Sequence, residues 1–131
     1  MINMMNINPN EDLSRSIEDS FNEICSILKA LGNQKRFKIV LSLLQGLQAF
    51  GTLLKVTELQ RTALSNHLTQ LIDANLIEKV DYGVYKISGD GLEFLKALKK
   101  AYYESPTRLL TQFEKIQSRK ISDPFLHRFR V

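Results

Sequence analysis

A stripe of hydrophobic residues runs through the N-terminal part of the chain. Its members follow one another at spacings of four, three, four and three residues, and they are Ile17, Phe21, Ile24, Leu28 and Leu31. This spacing predicts an amphipathic helix over residues 11–31 with a heptad-like seam. Such a seam can pack inside its own domain or against a second copy, and a long helix that flanks a small domain favours the second copy. We therefore predict a homodimer with Ile17, Phe21, Ile24 and Leu28 at its contact.

Apolar residues at helical spacing continue in three shorter segments, at residues 34–45, 52–56 and 60–75. Residues 47–51 are expected to be a connector, and residues 57–59 a turn between the last two helices. On the helix 60–75 the apolar residues share one side, and they are Leu64, Leu68, Leu71 and Ile72. A short helix, a short turn and a second helix make the helix-turn-helix pattern.

The opposite side of the helix 60–75 is polar and almost uncharged, whereas an ordinary solvated helix face is rich in Glu and Lys. Its side chains are Arg61, Thr62, Ser65, Asn66, Thr69 and Gln70. Hydroxyls, amides and a guanidinium are groups that hydrogen-bond base edges and phosphates. The alternative interpretation is a surface helix that is poor in charge. We predict a DNA-recognition face, with Asn66 as its best base reader because an amide can pair bidentately with adenine.

Two β-branched and aromatic runs follow, at residues 76–80 and 84–88, and a three-residue loop ending in Gly83 joins them. This pattern predicts a β-hairpin. A hairpin directly after a helix-turn-helix is the wing of a winged helix-turn-helix. We expect the cations nearby to contact the DNA backbone without reading its sequence; they are Lys35, Lys79 and Lys86.

Two more amphipathic helices are predicted after the hairpin, at residues 91–103 and from Ser105 to about residue 118. One face of the first helix supplies a second part of the predicted dimer contact, at Leu95, Leu98 and Tyr102. The predicted fold class is therefore mainly α with a small β-hairpin. We expect a single winged-helix domain over residues 1–131. Its parts are the N-terminal helix at 11–31, the helix-turn-helix and wing at 32–88, the C-terminal helices at 89–118 and a tail at 119–131.

The charge of the chain is unevenly distributed. Residues 11–25 contain five acidic residues and one arginine, while residues 26–131 contain seventeen basic and nine acidic residues. The N-terminal helix should therefore face away from any polyanion that the rest binds. Cys25 is the only cysteine, and its apolar surroundings predict core packing. The chain shows neither a signal-peptide pattern nor an apolar run long enough to span a bilayer, so we predict a cytoplasmic protein with no membrane partner.

Three stretches resemble the ArsR-type repressors and their relatives. Residues 28–39, LKALGNQKRFKI, resemble the family pattern L-x-A-L-[A/G]-[D/N]-x-x-R-x-x-I. Residues 62–71, TALSNHLTQL, resemble the recognition-helix pattern S-x-x-S-x-H-L-x-x-L, with Thr62 in the first Ser position. Residues 74–77, ANLI, resemble A-G-L-[I/V], with Asn75 in the Gly position. We expect the chain to leave the helix 60–75 there in a left-handed conformation, which Asn tolerates better than most residues other than Gly. The resemblance covers residues 28–88. It implies a winged helix-turn-helix transcriptional regulator that binds double-stranded DNA as a homodimer.

The sequence departs from the metal-sensing members of that family. Their cysteine-containing segment would fall at residues 52–56, which contain no Cys, and residues 89–104 contain no His to match the C-terminal metal site. His67 has no Cys, His or carboxylate at ligand spacing, so we expect it to serve the structure or a phosphate. We therefore predict no metal and no other cofactor. A small-molecule effector is unknown.

Catalysis is not indicated. The sequence contains no nucleophile and base pair, no Gly-rich phosphate loop and no paired-carboxylate motif, so we predict that the protein is not an enzyme. Another class of function stays open beside DNA binding, because a winged helix can also hold another protein. The nearly neutral helix-turn-helix favours that interaction module slightly.

Overall fold

The computed structural model describes residues 8–122 and confirms the predicted fold class, since it is mainly helical with a small sheet. The helices are α1 (Pro9–Asp19), α2 (Phe21–Leu31), α3 (Gln34–Leu43), α4 (Phe50–Thr57), α5 (Arg61–Asp73), α6 (Gly89–Glu104) and α7 (Pro106–Ser122), and the strands are β1 (Gln48–Ala49), β2 (Ile77–Asp81) and β3 (Val84–Ile87). The chain forms two compact units that divide after Leu92. The single-domain organisation stays a prediction. The predicted tail lies outside the described residues from residue 123 onward.

The N-terminal helix is interrupted, whereas the sequence pattern predicts one helix over residues 11–31. α1 ends at Asp19, Ser20 has φ −125° and ψ 32°, and α2 begins at Phe21. Glu18 and Asp19 stand at the negative end of the α1 dipole, which disfavours continuation. Asp and Ser side chains also compete for backbone hydrogen bonds, so the helix ends there readily. The hydrophobic stripe therefore lies on two helices and forms no continuous seam.

The core of the first unit lies between the inward faces of α3, α4 and α5. Its buried hydrophobic side chains include Ile39, Val40, Leu43, Leu53, Leu64, Leu68, Leu71, Leu76 and Ile77. The predicted apolar side of α5 is confirmed for its three leucines, while Ile72 is 38% exposed. Burying each such side chain stabilises the fold by about 1.5–3 kcal/mol. This core therefore fixes one face of α5 inward and turns the other to solvent.

The wing is a three-stranded antiparallel sheet with the strand order β1-β3-β2. The hairpin of β2 and β3 confirms the predicted one, but β1 lies where the sequence predicts a connector. Gln48 pairs with Tyr85 and Ala49 with Val84. The N–H of Phe50 also donates to the carbonyl of Gly83 at 2.8 Å. The hairpin loop is thereby fastened to the start of α4.

The turn between α4 and α5 depends on a left-handed residue, Glu58, at φ 58° and ψ 27°. The Thr57 hydroxyl donates to the carbonyl of Leu53 at 2.7 Å and is completely buried. The ammonium of Lys35 donates to the carbonyl of Thr57 at 2.5 Å. A cation at the negative end of α4 is favourable. Lys35 therefore holds α3 to the turn that leads into α5.

The exit from α5 uses a second left-handed residue, Asn75, at φ 59°. Its amide donates to Asp90 at 2.6 Å, and its carbonyl accepts from the Ser88 hydroxyl at 2.6 Å. Gly91 is buried beside this turn, and an added Cβ there would lie 2.2 Å from the carbonyl oxygen of Leu76. The predicted left-handed exit at Asn75 is thus confirmed, and it places the end of α5 directly beside the sheet.

Arg36 joins three helices through its buried guanidinium. Nε donates to the carbonyl of Ala30 at 2.8 Å and Nη2 to the carbonyl of Lys29 at 3.1 Å, both in the last turn of α2. Nη1 lies 3.0 Å from Nδ1 of His67 on α5. Asn33 caps α3 by accepting from the backbone N–H of Arg36 at 3.0 Å, as its position predicts. One side chain therefore ties the end of α2 and the start of α3 to the middle of α5.

The contact with Arg36 determines which ring nitrogen of His67 carries the proton. A guanidinium has only donors, so Nδ1 of His67 must accept and the proton of the neutral ring lies on Nε2. Burial and, second, the charge of Arg36 hold the pKa of His67 below its ordinary value. His67 is expected either to support the fold or to contact a phosphate, and its bond to Arg36 gives it the first role.

In the second unit, hydrophobic side chains face solvent along much of α7; Leu109, Leu110, Phe113 and Ile116 are all exposed. On the part of α6 in this unit, Tyr102 packs edge-on against Tyr103, with ring centroids 5.1 Å apart. The guanidinium of Arg108 lies 5.6 Å from the centre of the Tyr102 ring. The unit thus exposes a large apolar face.

Cys25 is exposed on α2, so its predicted place in the core is wrong. Within α2 only Ala30 is buried, so most of the apolar pattern of this helix faces solvent. Across residues 8–122, no helix combines the length and the hydropathy that crossing a membrane requires.

We expect the stability of the fold to fall in mild acid because of His67. Its folded pKa is lowered, so the unfolded chain takes up a proton more readily as the pH falls below about 6.5. The stabilising contribution is complete above that pH and is lost as the pH falls through the folded pKa. The midpoint of urea unfolding should therefore decrease between pH 7 and pH 5.

The matched control is His67→Gln, whose amide oxygen can accept from Arg36 without titrating. This variant should show a distinctly shallower dependence of the midpoint on pH over that interval. Parallel pH profiles for the two proteins would show that protonation of His67 does not determine the acid sensitivity.

Candidate nucleic-acid interface

α5 places all six predicted recognition residues on its solvent side. Leu64, Leu68 and Leu71 are buried against the core. The exposed set consists of Arg61, Thr62, Ser65, Asn66, Thr69 and Gln70. The structure therefore brings together on one helix face every side chain of α5 that the sequence analysis assigned to DNA.

The exposed side chains of α5 differ in the contacts that they already make. Within residues 8–122, the side chains of Thr62, Asn66 and Gln70 make no hydrogen bond. The Thr69 hydroxyl donates back to the carbonyl of Ser65 at 3.0 Å, so its proton is already engaged. The guanidinium of Arg61 lies 5.2 Å from the centre of the Phe50 ring. The Ser65 hydroxyl is likewise without a hydrogen bond within residues 8–122. Four polar groups are thus available for base edges, whereas Arg61 is held by an aromatic neighbour.

The predicted backbone contacts are separated by the structure. Lys79 and Lys86 are exposed on the wing, where Lys86 forms a 3.3 Å ion pair with Glu78 across the hairpin. Lys35 is half-buried and donates to Thr57. Lys35 would have to give up this internal hydrogen bond in order to contact a phosphate. Lys79 and Lys86 are therefore the predicted backbone contacts best placed to meet a polyanion.

The tip of the wing presents an aromatic side chain that the sequence analysis did not select. Tyr82 is 92% exposed, and the ammonium of Lys79 lies 5.3 Å from the centre of its ring. Asp81 is turned back, because its carboxylate accepts from the backbone N–H of Tyr82 at 2.7 Å. The sequence signal was an aromatic residue directly before the loop glycine.

A cleft of about 280 Å³ separates the wing from α5. Its lining comes from α4, α5 and the hairpin, and consists of Phe50, Arg61, Ser65, Lys79, Tyr82, Gly83 and Tyr85. The sequence pattern indicates Arg61, Ser65 and Lys79 as DNA contacts, but it does not place them around one cleft. Phe50 carries no such signal, because it reaches the cleft only through the pairing of β1 with β3.

Metal ligands are not brought together in the described part of the chain. Residues 8–122 contain no group of three or more His, Cys, Asp and Glu that could hold a metal ion. His67, the one histidine in that range, is directed to Arg36. His127 lies outside the described residues. The absence of a metal requirement stays a prediction.

The residues predicted for the dimer contact fall into two groups. Five of them are exposed, namely Ile17, Phe21, Leu28, Leu98 and Tyr102, and Ile24 is half-buried. Leu95 differs, since only 9% of it is exposed. Because Leu95 is already buried inside its own chain, little of its side chain is left for a partner.

Residues 33–79 match the family model described as bacterial regulatory protein, arsR family. No curated protein matches the sequence at a significant level. Among solved structures, reduced HlyU from Vibrio cholerae is 28% identical, with 68% of this chain and 97% of that chain covered and a TM-score of 0.55. NolR from Sinorhizobium fredii is 29% identical, with 73% and 94% covered and a TM-score of 0.56.

A third similar structure is that of the DNA-binding domain of Mb0332 from Mycobacterium bovis. It is 26% identical, with 67% of this chain and 84% of that chain covered and a TM-score of 0.57. That domain is described as a homodimeric winged helix-turn-helix of a possible ArsR-family transcriptional regulator. The matched residues 33–79 run from the cap of α3 through α5 into β2, which is the part of the chain that forms the helix-turn-helix. Sequence, fold and structural likeness agree that residues 33–79 carry a helix-turn-helix of the arsR type, and that the chain has the DNA-binding winged helix-turn-helix fold of such regulators.

Proposed function

We propose that the protein regulates transcription as a homodimer that reads a specific DNA sequence in the major groove through α5. The observation that carries this proposal is the exposed face of α5, which offers hydroxyls and amides beside the cations of the wing. A regulator of this kind acts in the cytoplasm, where bacterial DNA lies. The matching family model describes bacterial regulatory proteins, and we propose no catalytic activity.

The N-terminal half of a recognition helix points into the major groove, so its side chains lie closest to the bases. In α5 these are Arg61, Thr62, Ser65 and Asn66, of which Arg61 can take either a guanine or a phosphate. Asn66 is opposite the buried leucines and its amide makes no hydrogen bond within residues 8–122, so both of its polar atoms are available. An amide of this kind can meet the N6 and N7 positions of adenine together. Thr69 and Gln70 lie one turn further on, nearer the wall of the groove.

Backbone affinity comes from the wing in this proposal. Lys79 and Lys86 are exposed there, and the ion pair of Lys86 with Glu78 is itself about half exposed. Exposed pairs of this kind contribute at most about 1 kcal/mol. A phosphate can therefore displace Glu78 at little cost, and Lys86 then supplies affinity without reading the sequence.

The homodimer is supported by the apolar surface that each unit exposes. In the first unit Phe21 and Leu28 are 57% and 65% exposed. In the second unit Leu98, Tyr102 and the apolar face of α7 are exposed. Large apolar side chains exposed in such number on one unit mark an interaction site. The Mb0332 domain, described as homodimeric, has the same fold. A two-fold dimer would also present two copies of α5 to two half-sites.

The second candidate function is a winged-helix module that holds another protein. It is favoured by the nearly neutral helix-turn-helix, since residues 50–73 contain two basic and two acidic residues. Binding to duplex DNA distinguishes the two functions, because counterion release makes DNA affinity fall steeply as salt rises. A module that binds only another protein would not bind the duplex, so it would show no such salt dependence. Any small-molecule effector remains to be found by ligand screening.

Asn66→Ala should weaken binding to the specific site by roughly 1–3 kcal/mol and change binding to scrambled duplex little. The amide contributes contacts to bases and none to phosphates, so its loss removes discrimination only. The specific site is first selected from random duplex DNA. Fluorescence anisotropy of both duplexes then gives the two dissociation constants.

Lys86→Ala is the matched control, since it removes a backbone contact from the neighbouring wing. It should weaken binding to both duplexes about equally and flatten the salt dependence by about one unit for each protomer of the dimer. If Asn66→Ala binds both duplexes as well as the parent protein does, α5 is not the reader and the interaction module becomes the better account.

Leu28→Glu should raise the dimer dissociation constant at least about 30-fold, because a central apolar contact is worth about 2 kcal/mol or more and the two-fold axis duplicates the change. Analytical ultracentrifugation over a concentration series measures this constant. Leu47→Glu is the control, since Leu47 is 61% exposed but lies outside the predicted contact. A parent protein that sediments as a monomer at high concentration would refute the homodimer.

A further inference from the structure

The cleft between the wing and α5 holds two cations, each beside an aromatic ring. The guanidinium of Arg61 lies 5.2 Å from the centre of the Phe50 ring, and the ammonium of Lys79 lies 5.3 Å from the centre of the Tyr82 ring. Both pairs line the same cavity of about 280 Å³, together with the hydroxyl-bearing Ser65. One cation belongs to the recognition helix and the other to the wing.

The rings restrict where the cations can move. A contact between a cation and an aromatic face at an exposed site is worth about 0.5–1 kcal/mol. This is enough to bias a long side chain toward one region and not enough to neutralise its charge. Within residues 8–122, neither Arg61 nor Lys79 forms a salt bridge. Two uncompensated charges are therefore held over one cavity, where they repel each other until an anion enters.

We propose that this cleft is a seat for a single DNA backbone phosphate, bound by Arg61 and Lys79 together. The inference rests on the proposed function and adds a specific role to it. Arg61 becomes an anchor of the backbone and not a reader of bases. The hydroxyl of Ser65 can donate to the same phosphate, which leaves Thr62 and Asn66 as the base readers of the first turns of α5.

The size and position of the cleft favour a phosphate of DNA over a small effector. Pockets for drug-sized ligands usually measure about 300–1,000 Å³ and bury most of the ligand. This cleft is slightly smaller than that range. One of its lining residues, Tyr82, is almost fully exposed, so the cleft would leave much of a small ligand in solvent. A groove between a recognition helix and a wing is also where a backbone strand must pass when both elements meet DNA. One seated phosphate would fix the register of α5 along the groove.

The experiment compares salt dependence in Arg61→Gln, Lys79→Gln and the double variant, with a duplex selected from random DNA. Each phosphate that the protein neutralises contributes about 0.9 to the slope of log affinity against log salt. Because the homodimer carries two copies of the cleft, a shared seat predicts that the double variant loses about 1.8 in slope. Two separate phosphates in each protomer predict a loss of about 3.6, which would overturn the proposal. Lys99→Gln removes one exposed charge outside the cleft, and its slope should equal that of the parent.

A second measurement identifies the phosphate itself. A series of duplexes carries one uncharged methylphosphonate each, at successive backbone positions. At one position per half-site the parent should lose about tenfold or more in affinity, as expected for a hydrogen bond to a charged group. The double variant should bind that duplex and the unmodified duplex equally well. Equal losses for the parent and the double variant at every position would overturn the shared seat.

The outcomes separate this inference from the proposed function. A parent protein that binds no duplex at any salt concentration refutes DNA binding itself. A parent that binds duplex normally, with an unchanged slope in the double variant, refutes only the seat. Saturable binding of inorganic phosphate to the free protein, with no sensitive methylphosphonate position, would show that the cleft serves a free anion and would also overturn the proposal. Thermal unfolding of each variant confirms that it is folded.

Discussion

The guanidinium of Arg36 is the contact on which the position of the recognition helix depends. It satisfies two carbonyl groups at the end of α2 and the ring of His67 on α5, and it is only 7% exposed. Hydrogen bonds from a charged donor are worth about 1.5–3 kcal/mol each, and a buried charge left without them is costly. Because α5 is held from inside, its outer face needs no side chain for its own support. That face is free to carry residues chosen for recognition alone.

The contact between Arg36 and His67 gives a physical reason for two positions of the family pattern. The Arg of L-x-A-L-[A/G]-[D/N]-x-x-R-x-x-I and the His of S-x-H-L are far apart in sequence and meet in this fold. His67 is therefore a structural acceptor, which explains why a histidine stands at this point of a recognition helix without any metal partner. The neutral ring is required for the contact, so the geometry of the helix-turn-helix is linked to the protonation of one imidazole.

The sequence predicted the helix-turn-helix, the hairpin and the turn at Asn75, because periodicity and turn chemistry are local properties. It did not predict the break at Ser20, since the hydrophobic stripe continues across that residue in perfect register. It missed β1, because two residues carry no periodicity and pair only through their distant neighbours on β3. It placed Cys25 in the core, since an apolar pattern does not say whether the covering partner belongs to the same chain. The six polar residues of α5 were found from composition, but the cleft beside them required the placement of Phe50 and Tyr82 by the fold.

The distribution of charge around α5 has a consequence for movement along DNA. Six exposed residues of the helix include one cation, Arg61, which stands at its first position, while the exposed lysines Lys79 and Lys86 lie on the wing. The cations that attract phosphates thus lie at the margins of the DNA-facing surface, and the centre of the exposed face of α5 carries almost no charge. A protein built in this way can remain associated with arbitrary sequence and translate along it, since phosphates repeat identically at each step. The amides and hydroxyls then arrest this sliding only where the base edges complement them.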